Sequence, residues 1–241
     1  MQRQLHDPEG NMMELTQLDA LLNPFPLALE TGVERLPDGS LHVAVRTDMH
    51  QCTGEMFEWW FRSRPNTQHY VWWHPIDHLS SEWQGDLSDS THVGSEHIVK
   101  EKLTDVPSQD LVIQFRDPAE FLDQAGYQQA RKTGAVSAAV LGRVGFGHDG
   151  PRTDDGAVLG GRLLHIGRDT DWGLAMRSHF YLGADLPATG LTPAQVMEEV
   201  PTHLGFALLQ HAYNEFTYLS RFLPSLYLGD NRDQLAITPP W

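Results

Sequence analysis

Two potential metal ligands lie four residues apart near the C-terminal end of the sequence, in HAYNE at residues 211–215. On an α-helix, His211 and Glu215 would lie one turn apart on the same face. Imidazole nitrogen and carboxylate oxygen are both ligands that zinc accepts. The same spacing also occurs in simple surface hydrogen bonds, so alone it is a weak indication of a metal site.

The predicted surroundings of this pair favour the metal interpretation. Residues 203–223, HLGFALLQHAYNEFTYLSRFL, have the pattern of a long amphipathic helix that Pro224 ends. His211 and Glu215 fall on its apolar stripe, which includes Leu204, Leu208 and Leu219. Because a buried carboxylate without a cation is costly, a metal ion beside the histidine would stabilise Glu215. A buried His–Glu ion pair is the alternative, and the sequence leaves it open.

Two further ligands are predicted upstream. His74 directly follows an aromatic run in YVWWHPIDH, residues 70–78. In SEHIVKEKL, residues 95–103, the strand alternation places Glu101 on one face with His97 and Val99. The opposite register, with Glu96 facing inward, remains open. His78 and His97 are additional candidates, although isolated histidines are more often structural.

The bulk properties restrict the class of protein. The chain has 241 residues and a formal net charge of −15, which argues against nucleic acid or an anionic membrane as a partner. Cys52 is the single cysteine, so we expect a reducing compartment and no internal disulfide. The N-terminal MQRQLHDPEG lacks the apolar segment of a signal peptide, and no run of about twenty apolar residues is present. We therefore expect a cytoplasmic protein.

Several catalytic motifs are missing from the sequence. It contains no HExxH, no paired CxxC, no phosphate-binding glycine loop with a lysine, and no GxSxG. Cys52 precedes a predicted helix, but no nearby residue is an obvious base for it. Nucleophilic catalysis by a side chain is therefore less favoured than metal-assisted chemistry.

The predicted elements indicate an α+β fold. Alternating patterns predict strands at 41–47, 95–105, 110–117, 135–146, 160–169 and 173–183. Helices are predicted at 15–22, 53–64, 192–200 and 203–223, whereas residues 70–73 are expected to be extended and 80–94 to form a polar loop. Antiparallel strands followed by one long C-terminal helix suggest a curved sheet wrapped around that helix. Such a fold encloses a cavity between sheet and helix in which a small ligand could bind.

In combination, five segments resemble the 2,4-diacetylphloroglucinol hydrolase family, which includes phloretin hydrolase. They are EMFEWWF (55–61), YVWWHPIDH (70–78), VKEKL (99–103), MRSHFYLG (176–183) and HAYNE (211–215), in the same order as in the family. The resemblance covers roughly residues 50–225. It implies a helix-grip domain of the birch-pollen-allergen (START-like) type at 49–241, after a small N-terminal segment at 1–48 with an expected role in dimerisation. It also implies hydrolysis of a carbon–carbon bond between an aromatic ring and an acyl carbonyl by zinc-bound water.

The resemblance also implies roles for single residues. The metal set of two histidines and two glutamates falls on His74, Glu101, His211 and Glu215, with one Zn²⁺ per chain. Substrate binding is implied for Tyr70, Asp77 and Tyr181, and His165 is a counterpart of the family's pocket histidine. Trp73 is expected to bind the flat ring of the substrate as part of an aromatic lining, and His165 to deliver the proton, with Asp77 as a second candidate acid. Asp77 stands where the family has an asparagine, so it departs from the pattern. An equal alternative is that Asp77 orients His74.

The expected partner is a small aromatic ketone, and a homodimer is expected by analogy. The competing interpretation is a ligand-binding or polyketide-tailoring protein without hydrolase activity, because helix-grip domains also serve such functions and a fold alone does not specify chemistry. A bound divalent metal would discriminate between the two.

Overall fold

An antiparallel sheet of eight strands forms the framework of the described part of the chain. The computed structural model describes residues 12–232. The strands are arranged in the order β1-β2-β8-β7-β6-β5-β4-β3. Their bounds are β1 Gly32–Arg35, β2 Leu41–His50, β3 His78–Gly85, β4 Ser95–Leu103, β5 Val106–Phe115, β6 Ala138–Phe146, β7 Gly161–Thr170 and β8 Gly173–Leu182.

Within residues 12–232, six α-helices accompany the sheet. They are α1 Gly54–Arg62, α2 Thr67–Trp73, α3 Gln124–Thr133, α4 Pro193–Glu199, α5 Thr202–Ser220 and α6 Leu223–Asp230. The long helix α5 packs on β1 and β2 at one end of the strand order and on β4 near the other end. The sheet must therefore curve around α5. This confirms the predicted α+β helix-grip architecture, with its curved antiparallel sheet and long C-terminal helix.

The concave side of the sheet carries the main core. The aromatic helix α1 buries Phe57, Trp60 and Phe61 against strand residues and against Phe216 of α5. Thr53 accepts a hydrogen bond from the Met56 amide and so caps α1. The predicted helix at 53–64 is confirmed, and its apolar face positions the aromatic lining of the concave side.

The convex side is covered by the N-terminal region. A 3₁₀ helix at Leu15–Leu22 and helix α3 pack against Leu141, Leu164 and Ile166 of the sheet. Arg177 donates hydrogen bonds to Glu30 and to the carbonyls of Asn23 and Phe25, which fastens the segment before β1 to this side. The predicted boundary between the N-terminal segment and the helix-grip domain, after residue 48, falls inside β2. Strands β1 and β2 belong to the same sheet as the remaining strands. A role of the N-terminal segment in dimerisation stays a prediction.

Three local predictions were wrong. Residues 70–73 are helical rather than extended, because Asn66 caps α2 by accepting from the His69 amide. The predicted loop at 80–94 contains most of β3, which pairs with β4. Pro224 does not simply end the long helix: α5 ends at Ser220, and Pro224 lies in the first turn of α6.

Candidate metal centre

The junction between α2 and β3 places two histidines at the concave side. Helix α2 ends at Trp73, and His74 follows with non-helical dihedral angles, as expected before Pro75. Strand β3 begins at His78, which lies directly opposite Glu101 of β4 in the antiparallel register. Residues opposite each other in such a pair point to the same face. The backbone pairing therefore brings the side chains of His78 and Glu101 together.

Helix α5 supplies two further ligating side chains to the same place. His211 and Glu215 are both buried, on the side of α5 that faces the sheet. Their four-residue spacing places them one turn apart, as the sequence predicts. The concave side thus collects residues from α2–β3, β4 and α5 that are far apart in the sequence.

Three of these side chains, His78, Glu101 and His211, have the separations of a metal site, and Glu215 lies beside His78. His78 Nε2 lies 3.8 Å from Glu101 Oε2 and 3.7 Å from Glu215 Oε2. Ligand atoms of His78, Glu101 and His211 lie within 4.8 Å of one another. Atoms bound to a tetrahedral zinc at about 2.0–2.2 Å are roughly 3.3–3.6 Å apart. The cluster is therefore slightly wider than a closed zinc site, and its two imidazoles and two carboxylates are ligands that zinc accepts.

The hydrogen bonding of His78 leaves one nitrogen for a metal. Its Nδ1 lies 2.9 Å from the carbonyl oxygen of Tyr70, which can only accept, so Nδ1 carries the proton. Its Nε2 is buried and has no hydrogen-bond partner. An unpartnered imidazole nitrogen between two carboxylates fits a divalent cation.

A second group lies beside the first and shares His211 with it. It consists of His74, Asp77 and His211, whose ligand atoms also lie within 4.8 Å of one another. Asp77 Oδ2 is 3.0 Å from His211 Nδ1 and 3.6 Å from His74 Nε2, and His74 Nδ1 accepts from the Asp77 amide. His74 is therefore grouped with Asp77, whereas His78 is the histidine grouped with Glu101. The prediction that His74 is a ligand stays untested, and we carry His78 forward in its place.

Buried charge dominates the electrostatics of the cluster. Burial raises the pKa of Glu215 to about 8. Burial lowers the pKa of His211, but the hydrogen bond to Asp77 and the charges of Glu101 and Glu215 outweigh it and raise that pKa to about 9. Glu215 and His211 therefore hold protons near neutral pH, and a divalent cation could take the place of those protons.

The two glutamates of β4 face opposite sides of the sheet. Glu101 faces the cluster, where its Oε2 accepts from the Tyr70 hydroxyl at 2.5 Å. Glu96 instead accepts hydrogen bonds from Arg152, Gln84 and Gln114. The predicted alternation of side chains along β4 is confirmed, and Glu101 is the glutamate that faces the cluster, whereas its role as a ligand stays a prediction.

An aromatic region adjoins the cluster. Trp73 lies edge-on to His78 with ring centroids 5.3 Å apart, and it also contacts Phe216 of α5. His165 of β7 packs against Phe216 and Phe57, and its Nδ1 lies 2.9 Å from Ser178 Oγ. His165 therefore faces the concave side, a point that its alternating sequence left undecided. Burial lowers its pKa to about 3, so it is neutral near neutral pH.

Tyr181 does not join this region. Its hydroxyl donates to the Met13 carbonyl and its ring stacks on His42, within the core on the convex side. Neighbouring residues of β8 point to opposite faces, so Phe180 and Ser178 face the concave side while Tyr181 faces away. The structure thus separates Tyr181 from the other predicted substrate-binding residues, and we do not include it in the site.

Two contacts in the cluster were not predicted from the sequence: the hydrogen bond between Tyr70 and Glu101, and that between Asp77 and His211. Both join residues at least 31 positions apart. The only sequence signal was that Tyr70, Asp77 and His78 lie in the same short segment as His74.

A family model now relates this geometry to known proteins. The model described as "DAPG hydrolase PhiG domain" matches residues 13–228. The chain belongs to this DAPG hydrolase family. The resemblance predicted from the five sequence segments is thereby confirmed.

Individual relatives within the DAPG hydrolase family are distant. The chain is 24% identical over 238 residues to a 2,4-diacetylphloroglucinol hydrolase of Pseudomonas sp, covering 88% of this chain and 76% of that protein. It is 24% identical over 202 residues to phloretin hydrolase of Eubacterium ramulus, covering 79% and 68%. Among solved structures, protein Ms6760 of Mycobacterium smegmatis aligns with 81% of this chain and 98% of its own, at 11% identity and a TM-score of 0.45. Within residues 12–232, no helix is long and apolar enough to cross a membrane.

Proposed function

We propose that this member of the DAPG hydrolase family is a zinc-dependent hydrolase of aryl ketones. It would cleave the carbon–carbon bond between a polyhydroxylated aromatic ring and an acyl carbonyl, as in an acylphloroglucinol. Two observations support this proposal: the names of the 24% identical relatives and the buried cluster of metal-ligating side chains. The second carries the proposal, because it supplies a site for the chemistry.

The proposed ligands of one zinc ion per chain are His78, Glu101, His211 and Glu215. His78 replaces His74 in this set because its unpartnered Nε2 lies within 4 Å of both glutamates. His211 can use Nε2 as a ligand, since its Nδ1 donates to Asp77. Two neutral imidazoles and two carboxylates would balance the charge of the ion.

The reaction consumes one water molecule: the acyl carbon gains the hydroxyl group and the ring carbon gains the hydrogen. A zinc ion in the cluster would supply a Lewis acid for the acyl oxygen and would lower the pKa of a water molecule. Expulsion of a ring carbon is feasible only when ring hydroxyls allow the ring to take a keto form. The leaving group therefore restricts the substrates to aryl ketones whose ring carries hydroxyl groups.

The remaining residues of the concave side would bind and orient the ring. Trp73 and Phe216 provide flat apolar surface beside the cluster and would exclude bulk water. His165 and its partner Ser178 are the polar pair within that aromatic region. Because His165 is neutral, we propose that it hydrogen-bonds a ring hydroxyl or relays a proton through its imidazole, rather than acting as an imidazolium acid.

The test is a paired measurement of metal content and acid release. Wild-type protein is expected to contain about one equivalent of zinc and to release acetate from 2,4-diacetylphloroglucinol or a phenylpropanoate from phloretin. H78Q is expected to lose both, and H74Q, a matched change of a neighbouring buried histidine, is expected to retain zinc. Loss of zinc in H74Q but not in H78Q would restore His74 as the ligand.

The same assay decides between the two classes of function. Wild-type protein that binds these ketones without releasing acid, with or without zinc, would be a ligand-binding protein, and the hydrolase proposal would be overturned. Dimerisation is measured separately by light scattering on the full chain.

A further inference from the structure

The turn between β4 and β5 has an unusual backbone conformation. Strand β4 ends at Leu103 and β5 begins at Val106, and these two residues pair, so Thr104 and Asp105 form a two-residue hairpin turn. Thr104 has a φ of 55°, in the left-handed region. Hairpin turns with a positive φ at the first central residue favour glycine, asparagine or aspartate there, and a β-branched residue rarely adopts such a φ. The backbone of this turn is therefore strained at Thr104.

Two hydrogen bonds fasten the strained turn to the candidate metal centre. The Thr104 amide donates to Asp77 Oδ2 at 3.2 Å. The Lys102 amide donates to the carbonyl oxygen of Asp77 at 2.9 Å. Backbone strain of this kind persists only where the surrounding contacts determine the conformation. The end of the hairpin is thus held to Asp77 through both its main chain and its side chain.

Asp77 connects this restraint to a proposed metal ligand. The oxygen that accepts from Thr104 also lies 3.0 Å from His211 Nδ1. Asp77 is 1% exposed, so bulk water cannot take the place of the Thr104 amide. Two donors on one carboxylate oxygen fix the direction in which that oxygen meets the imidazole. Outer partners that orient a metal-bound histidine commonly change metal affinity about 10- to 100-fold when they are lost.

We propose that the main-chain amide of Thr104 is a positioning group, which holds Asp77 and, through Asp77, the His211 imidazole in the orientation that metal binding requires. This inference rests on the proposed metal site. It assigns a role to a turn that contributes no ligand of its own. Coupling between two sites is reciprocal, so a metal ion bound by His211 stabilises the hydrogen bond between Thr104 and Asp77 in return.

The first experiment measures hydrogen exchange of two backbone amides by NMR, in the metal-free full chain and at a saturating zinc concentration. In the wild type, zinc is expected to slow exchange of the Thr104 amide about 10-fold. In D77A, the Thr104 amide has lost its acceptor and is expected to exchange equally fast with and without zinc. The Lys102 amide is the internal control, because its acceptor is the carbonyl oxygen of residue 77, which D77A retains.

The second experiment compares zinc binding by T104P and Q51P. Gln51 also has a positive φ, of 64°, and its amide donates to the Trp172 carbonyl at 2.9 Å, outside the cluster. Proline removes the amide hydrogen and fixes φ at about −65°, so both variants suffer the same local change. T104P is expected to bind zinc about 10-fold more weakly in competition with a chromophoric chelator, and Q51P about as tightly as the wild type. The visible spectrum of the cobalt-substituted protein is expected to change in T104P alone.

Several results would overturn the proposal. They are zinc binding by T104P as tight as that of the wild type, an equal loss of affinity in T104P and Q51P, and wild-type protein that binds zinc without slower exchange at Thr104. Equal loss of protection at Lys102 and Thr104 in D77A would also overturn it, because the hairpin would then open as a whole. If T104P does not fold, the exchange measurements on the wild type and D77A decide alone. Wild-type protein that binds no zinc would instead overturn the proposed metal site itself.

Discussion

Asp77 Oδ2 lies 3.0 Å from Nδ1 of His211, although the two residues are 134 positions apart. The same oxygen accepts from the Thr104 amide and lies 3.6 Å from His74 Nε2. Carboxylates that hold the second nitrogen of a metal-bound histidine fix its ring and raise its basicity. Asp77 thus has the geometry to orient a proposed ligand, and that ligand is His211 rather than His74.

This arrangement predicts that D77N weakens zinc binding. The amide of asparagine can still accept from His211 Nδ1, but the negative charge is lost. We expect zinc affinity to fall about 10-fold in D77N and up to about 100-fold in D77A, where no acceptor remains. Chelator competition measures both.

The control for Asp77 is D169N. Asp169 also accepts a backbone hydrogen bond, from Gly54, and lies outside the cluster. Zinc affinity is expected to be unchanged in this variant. Equal affinities in D77N, D77A and the wild type would show that Asp77 does not orient His211.

Glu101 and Glu96 provide a second matched pair, because they lie on opposite faces of one strand. E101Q replaces a proposed ligand with a weaker, neutral donor, so we expect bound zinc and acid release to be lost. E96Q changes a residue that contacts Arg152 and leaves the cluster intact, so zinc content is expected to stay near one equivalent. Elemental analysis of both variants measures the difference, and zinc loss in E96Q alone would reverse the assignment.

Much of the candidate site could be predicted from sequence patterns that depend on residues close together in the chain. The alternation of SEHIVKEKL predicted the face of Glu101, and the helical period of residues 203–223 predicted that His211 and Glu215 share one buried side. Thr192 caps α4 with Pro193 in its first turn, as expected from the residue types. These features depend on neighbours within one or two turns or along one strand.

The sequence patterns were insufficient where contacts across the fold decide the outcome. TQHYVWW is rich in residues that favour strands, yet the Asn66 cap and burial against the core make it helical. That helix turns His78, rather than His74, toward Glu101. Tyr181 lies on the convex face because of the register of β8. A shift of that register by one residue would move its side chain to the concave face.

His165 provides a test of the aromatic region that is independent of metal binding. In S178A, the histidine loses the partner of its Nδ1, so its orientation toward a substrate ring is weakened. We expect kcat/KM to fall about 10-fold while zinc affinity is unchanged. Steady-state kinetics beside chelator competition measure the two effects, and full activity in S178A would remove this pair from the proposed site.

The ion pair of Glu96 with Arg152 gives a prediction for how the free energy of unfolding changes at acidic pH. The hydrogen bond from Arg152 holds the pKa of Glu96 below its usual value of 4.5. Its contribution to stability is therefore present above about pH 4.5 and is lost as the pH falls through the folded-state pKa. The free energy of unfolding of E96Q, followed by urea titration at several pH values, is expected to fall less steeply below that pH than that of the wild type. Parallel pH profiles would contradict this assignment.

The packing of α5 on the sheet gives a prediction for stability alone. A Cβ at Gly205 would lie 2.7 Å from Val33 Cγ1 and 3.2 Å from a Leu41 methyl. Such overpacking costs about 1–3 kcal/mol, whereas alanine gains about 1 kcal/mol over glycine in helix propensity. We expect G205A to lose about 1 kcal/mol in the free energy of unfolding. The control G229A adds the same methyl group to α6, where no atom lies within 4 Å, and is expected to be at least as stable as the wild type. A G205A variant as stable as G229A would show that α5 does not approach β1 and β2 as closely as described.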